Sequence, residues 1–109
     1  MITMVARMRV GAANAPAYEA LMDHVVDMTR RHEPGVPYYA WAKSADEADT
    51  YVVIEVYANA QVHAAHMASA WVRESLPQSI ALVDGGFDIQ QYVSGGSEPV
   101  ALRHGSKIK

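Results

Sequence analysis

Residues 51–57, with the sequence YVVIEVY, carry an apolar side chain at every position except Glu55. Successive side chains of a strand point to opposite faces of a sheet, so a strand with this sequence is apolar on both faces. Such a strand lies in the middle of a sheet and is covered on both sides. The segment therefore predicts a central strand and a fold that buries both faces of its sheet.

The residues before this strand predict a strand, a helix and a second strand. Residues 2–10 place apolar side chains at every second position, as a strand does. Asn14 can cap a helix, and apolar residues then recur at helical spacing up to about His32. Residues 36–43 predict the second strand, and Pro37 favours an edge position because it has no N–H to donate.

The residues after the central strand predict a helical region and a last strand. Asn59 can cap a short helix, and Ser69 can cap a further piece that Pro77 is expected to interrupt. The glycines of residues 84–86 mark a stop. Residues 87–94 alternate again and predict a fourth strand.

This order of elements predicts an α+β fold of the ferredoxin-like type, β-α-β-β-α-β, with both helices on one face of an antiparallel sheet. The sheet order 4-1-3-2 places the third strand centrally. Residues 1–94 are expected to form one domain. Residues 95–109 are expected to be a tail, either disordered or lying across a partner subunit through Val100 and Leu102.

Apolar rows on both sheet faces indicate a partner, because two helices cover only one face. A monomer seldom exposes an apolar patch larger than a few hundred Å². We therefore expect a homodimer that closes a dimeric α+β barrel through the bare face. The residues expected on that face are Ile2, Met4, Met8 and Val10 of the first strand, with Val52, Ile54 and Val56 of the third.

Composition excludes several classes of protein. The chain has no cysteine, which excludes disulfides and thiolate sites, and its net charge of −3 gives no basic surface for nucleic acid. The sequence shows neither a signal peptide nor a run of about 20 apolar residues that could cross a membrane. We expect a soluble cytoplasmic protein with no nucleic-acid or membrane partner.

Three short motifs follow one another along the chain: an E-x-G turn at 33–35, a V-x-x-E-x-Y strand at 52–57 and an A-H-x-x-S element at 65–69. Together with the order of elements, they resemble the antibiotic biosynthesis monooxygenase superfamily over about residues 1 to 94. The resemblance implies a ligand pocket between the helices and the sheet. Some members oxidise phenolic or quinol-type substrates with molecular oxygen, using no metal and no flavin, and another branch binds and degrades haem.

The sequence departs from the haem-degrading branch at three positions of its pocket. By the resemblance, Arg7 stands where that branch has an asparagine, His66 where it has a tryptophan, and Leu76 where it has the iron-binding histidine. We therefore expect no haem and no other cofactor, although His104 in the tail is left open as a haem ligand.

His63 and His66 lie three residues apart and admit three interpretations. They could share a helical face and bind a metal, but no third ligand is near in sequence. They could simply be exposed or packed locally. The resemblance gives His66 a role in the pocket, where a neutral imidazole can accept a phenol proton.

Arg7 and Glu55 form a second candidate pair. If the even-numbered residues of the first strand face the partner, Arg7 faces the helices, where a cation needs a counter-charge. Glu55 on the neighbouring strand is the natural partner. The pair is then either structural, or a site in which Arg7 stabilises the oxyanion of a bound phenolate.

A third candidate set consists of aromatic residues and is either core or the wall of a pocket for a flat ligand. Its members are Tyr39, Trp41, Tyr57 and Trp71.

Two hypotheses for function follow. The first is a cofactor-independent oxygenase acting on a small electron-rich aromatic substrate and molecular oxygen. The second is a non-catalytic dimeric module that binds a small ligand or a partner protein.

Overall fold

The computed structural model describes residues 1–102 and the backbone of a short strand at 106–108, so that His104 lies outside the described residues. Its order of elements confirms the predicted ferredoxin-like α+β class. Two features were not predicted: α3 is one continuous helix, and a fifth strand follows β4. The elements are β1 (Ile2–Arg9), α1 (Ala15–His32), β2 (Tyr38–Lys43), β3 (Thr50–Tyr57), α2 (Ala60–Ala68), α3 (Ala70–Leu82), β4 (Asp84–Val93) and β5 (Ser106–Ile108).

The sheet has the order β2-β3-β1-β4-β5. β1 pairs antiparallel with both β3 and β4, and β2 pairs antiparallel with β3. The predicted order of the first four strands is therefore confirmed, with β3 inside the sheet and the strand after Pro37 at an edge. β5 is added beyond β4 in the parallel sense.

The register of β1 against β3 corrects the predicted faces of β1. Val5 lies opposite Ile54 and Met4 lies opposite Glu55, so the even-numbered residues of β1 share a face with the odd-numbered residues of β3. That face lies under the helices, and Met4 is only 2% exposed. The prediction that Ile2, Met4, Met8 and Val10 face a partner is wrong. The physical reason is the other row of β1, which contains Arg7 and Arg9, two cations that would be costly to bury.

The opposite side of the sheet, which we call the open face, carries none of the three helices that the structure describes. Its centre remains apolar, because Val5 of β1 lies beside Ile54 of β3. Two large side chains at its margins, Tyr38 and Tyr92, are 50% and 55% exposed. The part of the prediction that places the β3 row on the bare face is therefore confirmed. The open face comprises Thr3, Val5 and Arg7 of β1, Val52, Ile54 and Val56 of β3, with Tyr38 and Tyr92.

Polar caps set the ends of the helices. The Asn59 side chain accepts a hydrogen bond of 2.9 Å from the Val62 N–H, and the Ser69 hydroxyl accepts one of 3.4 Å from the Val72 N–H, as predicted. Asn14 lies at the start of α1 but forms no side-chain cap, and its amide donates instead to the Leu82 carbonyl.

Pro77 does not interrupt α3, contrary to the prediction. A proline inside a helix removes one backbone hydrogen bond and costs about 3 kcal/mol. Pro77 is exposed, whereas the buried side chains Val72, Ser75 and Ser79 lie along the opposite side of the helix. Packing of this side into the core, next to α1 and α2, therefore holds the helix together across the proline.

The C-terminal segment folds back on its own chain. The side chain of Gln91 bonds Val100 twice, donating to its carbonyl at 3.0 Å and accepting from its N–H at 2.8 Å. Val100 and Leu102 then pack against a buried cluster that contains Ile2 and Met4. The two apolar residues considered for an arm across a partner thus contact their own subunit.

Gly35 provides a test of how closely the turn after α1 approaches α2. An added Cβ at Gly35 would lie 2.7 Å from Cγ2 of Val62, closer than such atoms approach in proteins. We expect Gly35→Ala to lower the free energy of unfolding by about 1–3 kcal/mol through this overlap. Chemical denaturation of the variant and the parent measures the difference.

The matched control is Gly95→Ala, since an added Cβ there has no atom within 4 Å. The double variant Gly35→Ala/Val62→Ala should be more stable than the sum of its single effects, because it removes the overlapping methyl groups. Additive effects would show that contact with Val62 is not the cause.

Candidate functional site

A cavity of about 120 Å³ lies between the helices and the covered face of the sheet. All three helices and β1 to β4 contribute to its wall, so the fold places it where the family resemblance predicts a ligand pocket. The wall is mostly apolar, and His66 and Glu55 are its titratable residues besides tyrosines. Its described lining consists of Met8, Tyr18, Met22, Val25, Tyr39, Val53, Glu55, His66, Met67, Val72, Ser75, Leu76, Ser79 and Phe87.

His66 is held by a carboxylate that comes from the turn after α1. Its Nδ1 lies 3.0 Å from both Oε1 and Oε2 of Glu33, and the His66 side chain is only 2% exposed. A carboxylate accepts hydrogen bonds, so the ring proton of the neutral imidazole lies on Nδ1. This tautomer leaves Nε2 with a free lone pair, which makes His66 a proton acceptor in the cavity wall.

Burial lowers the pKa of His66 below its ordinary range, and the adjacent Glu33 opposes this change. The imidazole is therefore neutral at pH 7. An imidazolium formed by proton uptake would still be paired with Glu33, as the charged histidine of a hydrolase triad is paired with its acid. The pair can thus accept a proton and stabilise the resulting charge.

Glu33 also joins three elements around the site. The Trp71 indole of α3 donates a hydrogen bond of 2.8 Å to Oε2 of Glu33, beside the bond from His66 of α2. The Ser69 hydroxyl donates to the His66 carbonyl at 2.6 Å and caps α3 as well. The orientation of the imidazole is therefore fixed by both its side chain and its backbone.

Glu55 is the second titratable group of the cavity. The Tyr57 hydroxyl donates a hydrogen bond to Oε1 of Glu55. Burial raises the pKa of Glu55 to about 7, although the bond from Tyr57 acts in the opposite direction. Near neutral pH this carboxyl group can therefore either donate or accept a proton.

The aromatic residues predicted for the site are only partly assembled there. Tyr39 lines the cavity, and its ring centroid lies 5.0 Å from that of His66. Tyr57 packs behind the site, with its centroid 5.4 Å from His66. Trp71 contacts the site through Glu33. Trp41 is not among the described residues that line the cavity, and its indole donates to Asp23.

Arg7 is not part of this site. It lies on the open face, 53% exposed, and its guanidinium bonds Glu47 at 2.9 Å. The predicted pair between Arg7 and Glu55 is wrong, because the two side chains project from opposite faces of the sheet. A role for Arg7 as the stabiliser of a phenolate in this cavity is therefore wrong as well.

His63 and His66 make different contacts. The His63 ring packs edge-on against Tyr57, with centroids 4.9 Å apart, and burial lowers its pKa. Across residues 1–102, no group of three or more histidine, aspartate or glutamate side chains is arranged to bind a metal ion. Within the same residues, no helix is long and apolar enough to span a membrane.

Sequence reasoning missed the role of Glu33. The sequence shows Glu33 only as part of a turn motif, since its contacts with His66 and Trp71 span 33 and 38 positions of the chain. The available signal was an acidic residue next to a proline-glycine turn at the end of a helix. A carboxylate at that position can reach the elements that pack against the helix.

The pKa of Glu55 predicts how stability depends on pH. The folded state holds a proton on this carboxyl up to about pH 7, whereas the ordinary pKa is 4.5. The folded state therefore binds the proton more tightly, and this stabilisation is lost as the pH rises from 4.5 through 7. We expect the free energy of unfolding of the parent, relative to Glu55→Gln, to fall by on the order of 3 kcal/mol across this range.

Denaturation of the two proteins at several pH values measures this difference. His66 has a lowered pKa and so contributes with the opposite sign, but it is present in both proteins and cancels. Glu47→Gln is the matched control, because Glu47 lies in the loop between β2 and β3 and its side chain is 58% exposed. A difference between parent and Glu55→Gln that did not change with pH would contradict the assignment.

Comparison with known structures gives the same fold for proteins of distant sequence. A protein from Nitrosomonas europaea is 19% identical, with 87% of this chain and 99% of that chain covered and a TM-score of 0.80. A protein from Caulobacter crescentus is 23% identical, with 84% and 86% covered and a TM-score of 0.79. A protein from Mycobacterium tuberculosis is 22% identical, with 85% and 93% covered and a TM-score of 0.78. At these identities the likeness establishes the fold alone.

The sequence itself matches one family over most of its length. No curated protein sequence is significantly similar to this chain. The profile of the antibiotic biosynthesis monooxygenase family, however, matches residues 1–76, a range that contains Glu33, Glu55, His66 and Trp71. The chain therefore belongs to the antibiotic biosynthesis monooxygenase family.

Proposed function

We propose that the protein is an oxygenase that uses molecular oxygen and no cofactor to convert a ring C–H of a small electron-rich phenolic compound into a carbonyl group, with water as the second product. The observation that carries the proposal is the Glu33–His66 pair at the wall of an apolar cavity. It provides a base that is neutral at pH 7 next to space for a flat ring. Family membership supports a monooxygenase-type reaction in general.

His66 supplies the base in this proposal. Its Nε2 accepts the proton of a phenolic hydroxyl, and Glu33 stabilises the imidazolium that forms. General-base catalysis of this kind contributes about 10²–10⁴-fold to a rate. The ion pair of Glu33 and the protonated His66 also provides the positive charge next to the phenolate, a role that Arg7 cannot fill from the open face.

The substrate supplies every electron that the reaction needs. The phenolate passes one electron to O₂, and the aryloxyl radical and superoxide combine through a new bond between oxygen and a ring carbon. The peroxide takes a proton back from His66. The outer peroxide oxygen then leaves as water together with the hydrogen of that ring carbon, and a carbonyl group remains on the carbon. One oxygen atom enters the product and the other leaves as water, so no metal, flavin or external reductant is required.

The proposal also includes a homodimer built through the open face. The apolar centre around Val5 and Ile54 has no helix over it. Stable obligate interfaces bury about 2,000 Å² or more, which a sheet-to-sheet contact of four strands can supply. A partner on this face also encloses the sheet on its second side.

Incubation with ¹⁸O₂ tests the proposed reaction. A panel of phenols and hydroquinones is offered to the protein, and products are analysed by mass spectrometry. We expect one ¹⁸O atom per product molecule, with a rate above that of the same compound in buffer. Absence of labelled product across the panel would contradict the proposal.

A second candidate function is binding of a small ligand without turnover. It is favoured by the small volume of the cavity and by the absence of a lysine or arginine among its described lining residues. A ligand that co-purifies with the protein and is recovered unchanged after exposure to oxygen would support binding. A recovered oxidised product supports catalysis.

A further inference from the structure

The volume of the cavity limits the size of its ligand. The space is about 120 Å³, whereas pockets for drug-sized ligands measure about 300–1,000 Å³. An engineered apolar cavity of about 150 Å³ in another protein binds benzene. The volume of the present cavity therefore matches one aromatic ring, and a second fused ring would extend beyond it.

The wall of the cavity disfavours a ligand with a negative charge. Its described lining contains no lysine or arginine, and Glu55 is exposed to the cavity with Glu33 directly behind His66. A carboxylate or sulfonate on the ligand would meet these acids without a counter-ion, which is costly in an apolar space. The thioethers of Met8, Met22 and Met67 instead provide polarizable contacts that suit the faces and edges of an aromatic ring.

Two polar side chains of different elements converge on this space. His66 comes from α2 and presents Nε2 as an acceptor, whereas Glu55 comes from β3 and has Oε1 engaged by Tyr57. The second oxygen of Glu55 is then available to a ligand. A buried polar group without a partner is unfavourable, so a ligand that bonds both residues is preferred over one that bonds only His66.

We propose that the cavity recognises an uncharged single-ring arene with two oxygen substituents, one bonded to His66 and the other to Glu55. This inference rests on the proposed oxygenase function for its reactive hydroxyl, and it assigns Glu55 as the residue that selects the second substituent. With a dihydroxyarene as substrate, the reaction above gives a hydroxyquinone and water.

Binding measured without oxygen tests the inference independently of turnover. Isothermal titration under nitrogen compares hydroquinone with phenol, 1,4-dihydroxynaphthalene and 4-hydroxybenzoate. We expect hydroquinone to bind at least about tenfold more tightly than each of the other three. Phenol loses one hydrogen bond, and about 1.4 kcal/mol corresponds to tenfold. The dihydroxynaphthalene exceeds the volume of the cavity, and the benzoate brings a charge without a counter-ion. Equal or tighter binding of any one of them, or no binding of hydroquinone, would overturn the inference.

Substitution of Glu55 tests the second contact. In Glu55→Leu, the affinity ratio of hydroquinone to phenol should fall to about one, whereas in the matched control Glu47→Gln the ratio should stay as in the parent. If Glu55→Leu does not fold, Glu55→Gln provides the test. The affinity ratio of hydroquinone to phenol should vary with pH around 7 in the parent, and it should not vary with pH in Glu55→Gln. A ratio that keeps its pH dependence in Glu55→Gln would refute the role of Glu55.

The two proposals fail in different ways. Tight anaerobic binding of hydroquinone without any ¹⁸O product would support the proposed specificity and contradict the oxygenase function. Oxidation of a fused-ring compound that binds more tightly than hydroquinone would support the oxygenase function and contradict the single-ring specificity.

Discussion

Replacing His66 with glutamine is expected to lower the rate of oxygen-dependent turnover by at least about 100-fold, which is the loss of a general base. Glutamine keeps a donor that can bond Glu33, but it cannot accept a proton from a phenol. The effect should fall mainly on kcat rather than on KM, since the proton is transferred in the reaction and not in binding. Steady-state oxygen uptake with the preferred substrate measures both constants.

His63→Gln is the matched control for this prediction. His63 lies three residues away and packs on Tyr57 rather than lining the cavity. We expect its turnover to stay within a few-fold of the parent. A site that uses both histidines, such as a metal centre, would lose activity in both variants, so the comparison separates the two interpretations. Turnover in His66→Gln equal to that of the parent would remove His66 as the base.

Replacing Ile54 with aspartate is expected to raise the dissociation constant of the proposed dimer by at least about a thousandfold. An unpaired charge in a dry interface costs about 3–5 kcal/mol, and each copy of the chain contributes one. The monomer should remain folded, because Ile54 lies on the open face and not beneath the helices. Sedimentation at micromolar concentration, together with circular dichroism, distinguishes a folded monomer from an unfolded chain.

Met4→Asp provides the contrast for the interface prediction. Met4 is 2% exposed beneath the helices, so a charge there should unfold the subunit instead of separating two folded ones. A charge reversal at Asp27, exposed on α1, should change neither property. A parent chain that sediments as a monomer would contradict the dimer itself.

Local signals in the sequence predict much of this fold. The caps at Asn59 and Ser69, the alternation of β1 and the apolar faces of β3 each follow from short-range physical preferences. These signals determine the order of strands and helices. They do not determine which row of one strand lies beside which row of the next, because a shift of one residue exchanges the faces.

The face of β1 was predictable in principle from its charges. Arg7 and Arg9 occupy the odd row, and a row with two cations is the natural choice for the open face. The apolar residues of the even row favour the opposite assignment, which is wrong, and the predicted Arg7–Glu55 pair depends on that assignment. His66 and Glu55 were found because they lie on elements that the motifs define.

The geometry of the site depends on contacts that no local pattern encodes. Glu33 meets His66 and Trp71 only after α1, α2 and α3 pack together. The volume of the cavity depends on how many side chains fill the space between three helices and a sheet. For these reasons the sequence could indicate a pocket and a candidate base, but neither the volume of the pocket nor the acid that contacts His66.

The two outer strands of the sheet bear on how copies of this chain associate. An outer strand with a long run of unpaired N–H and C=O groups recruits strands from other molecules, and such growth is open-ended. Here β2 is preceded by Pro37 and ends at the charged Lys43, while β5 spans only the three residues Ser106–Ile108. Neither edge, in the part of the chain that the structure describes, offers a long template. The proposed contact between open faces would be satisfied by two copies, so it would bury the exposed apolar surface in a closed pair and would not lead to fibres.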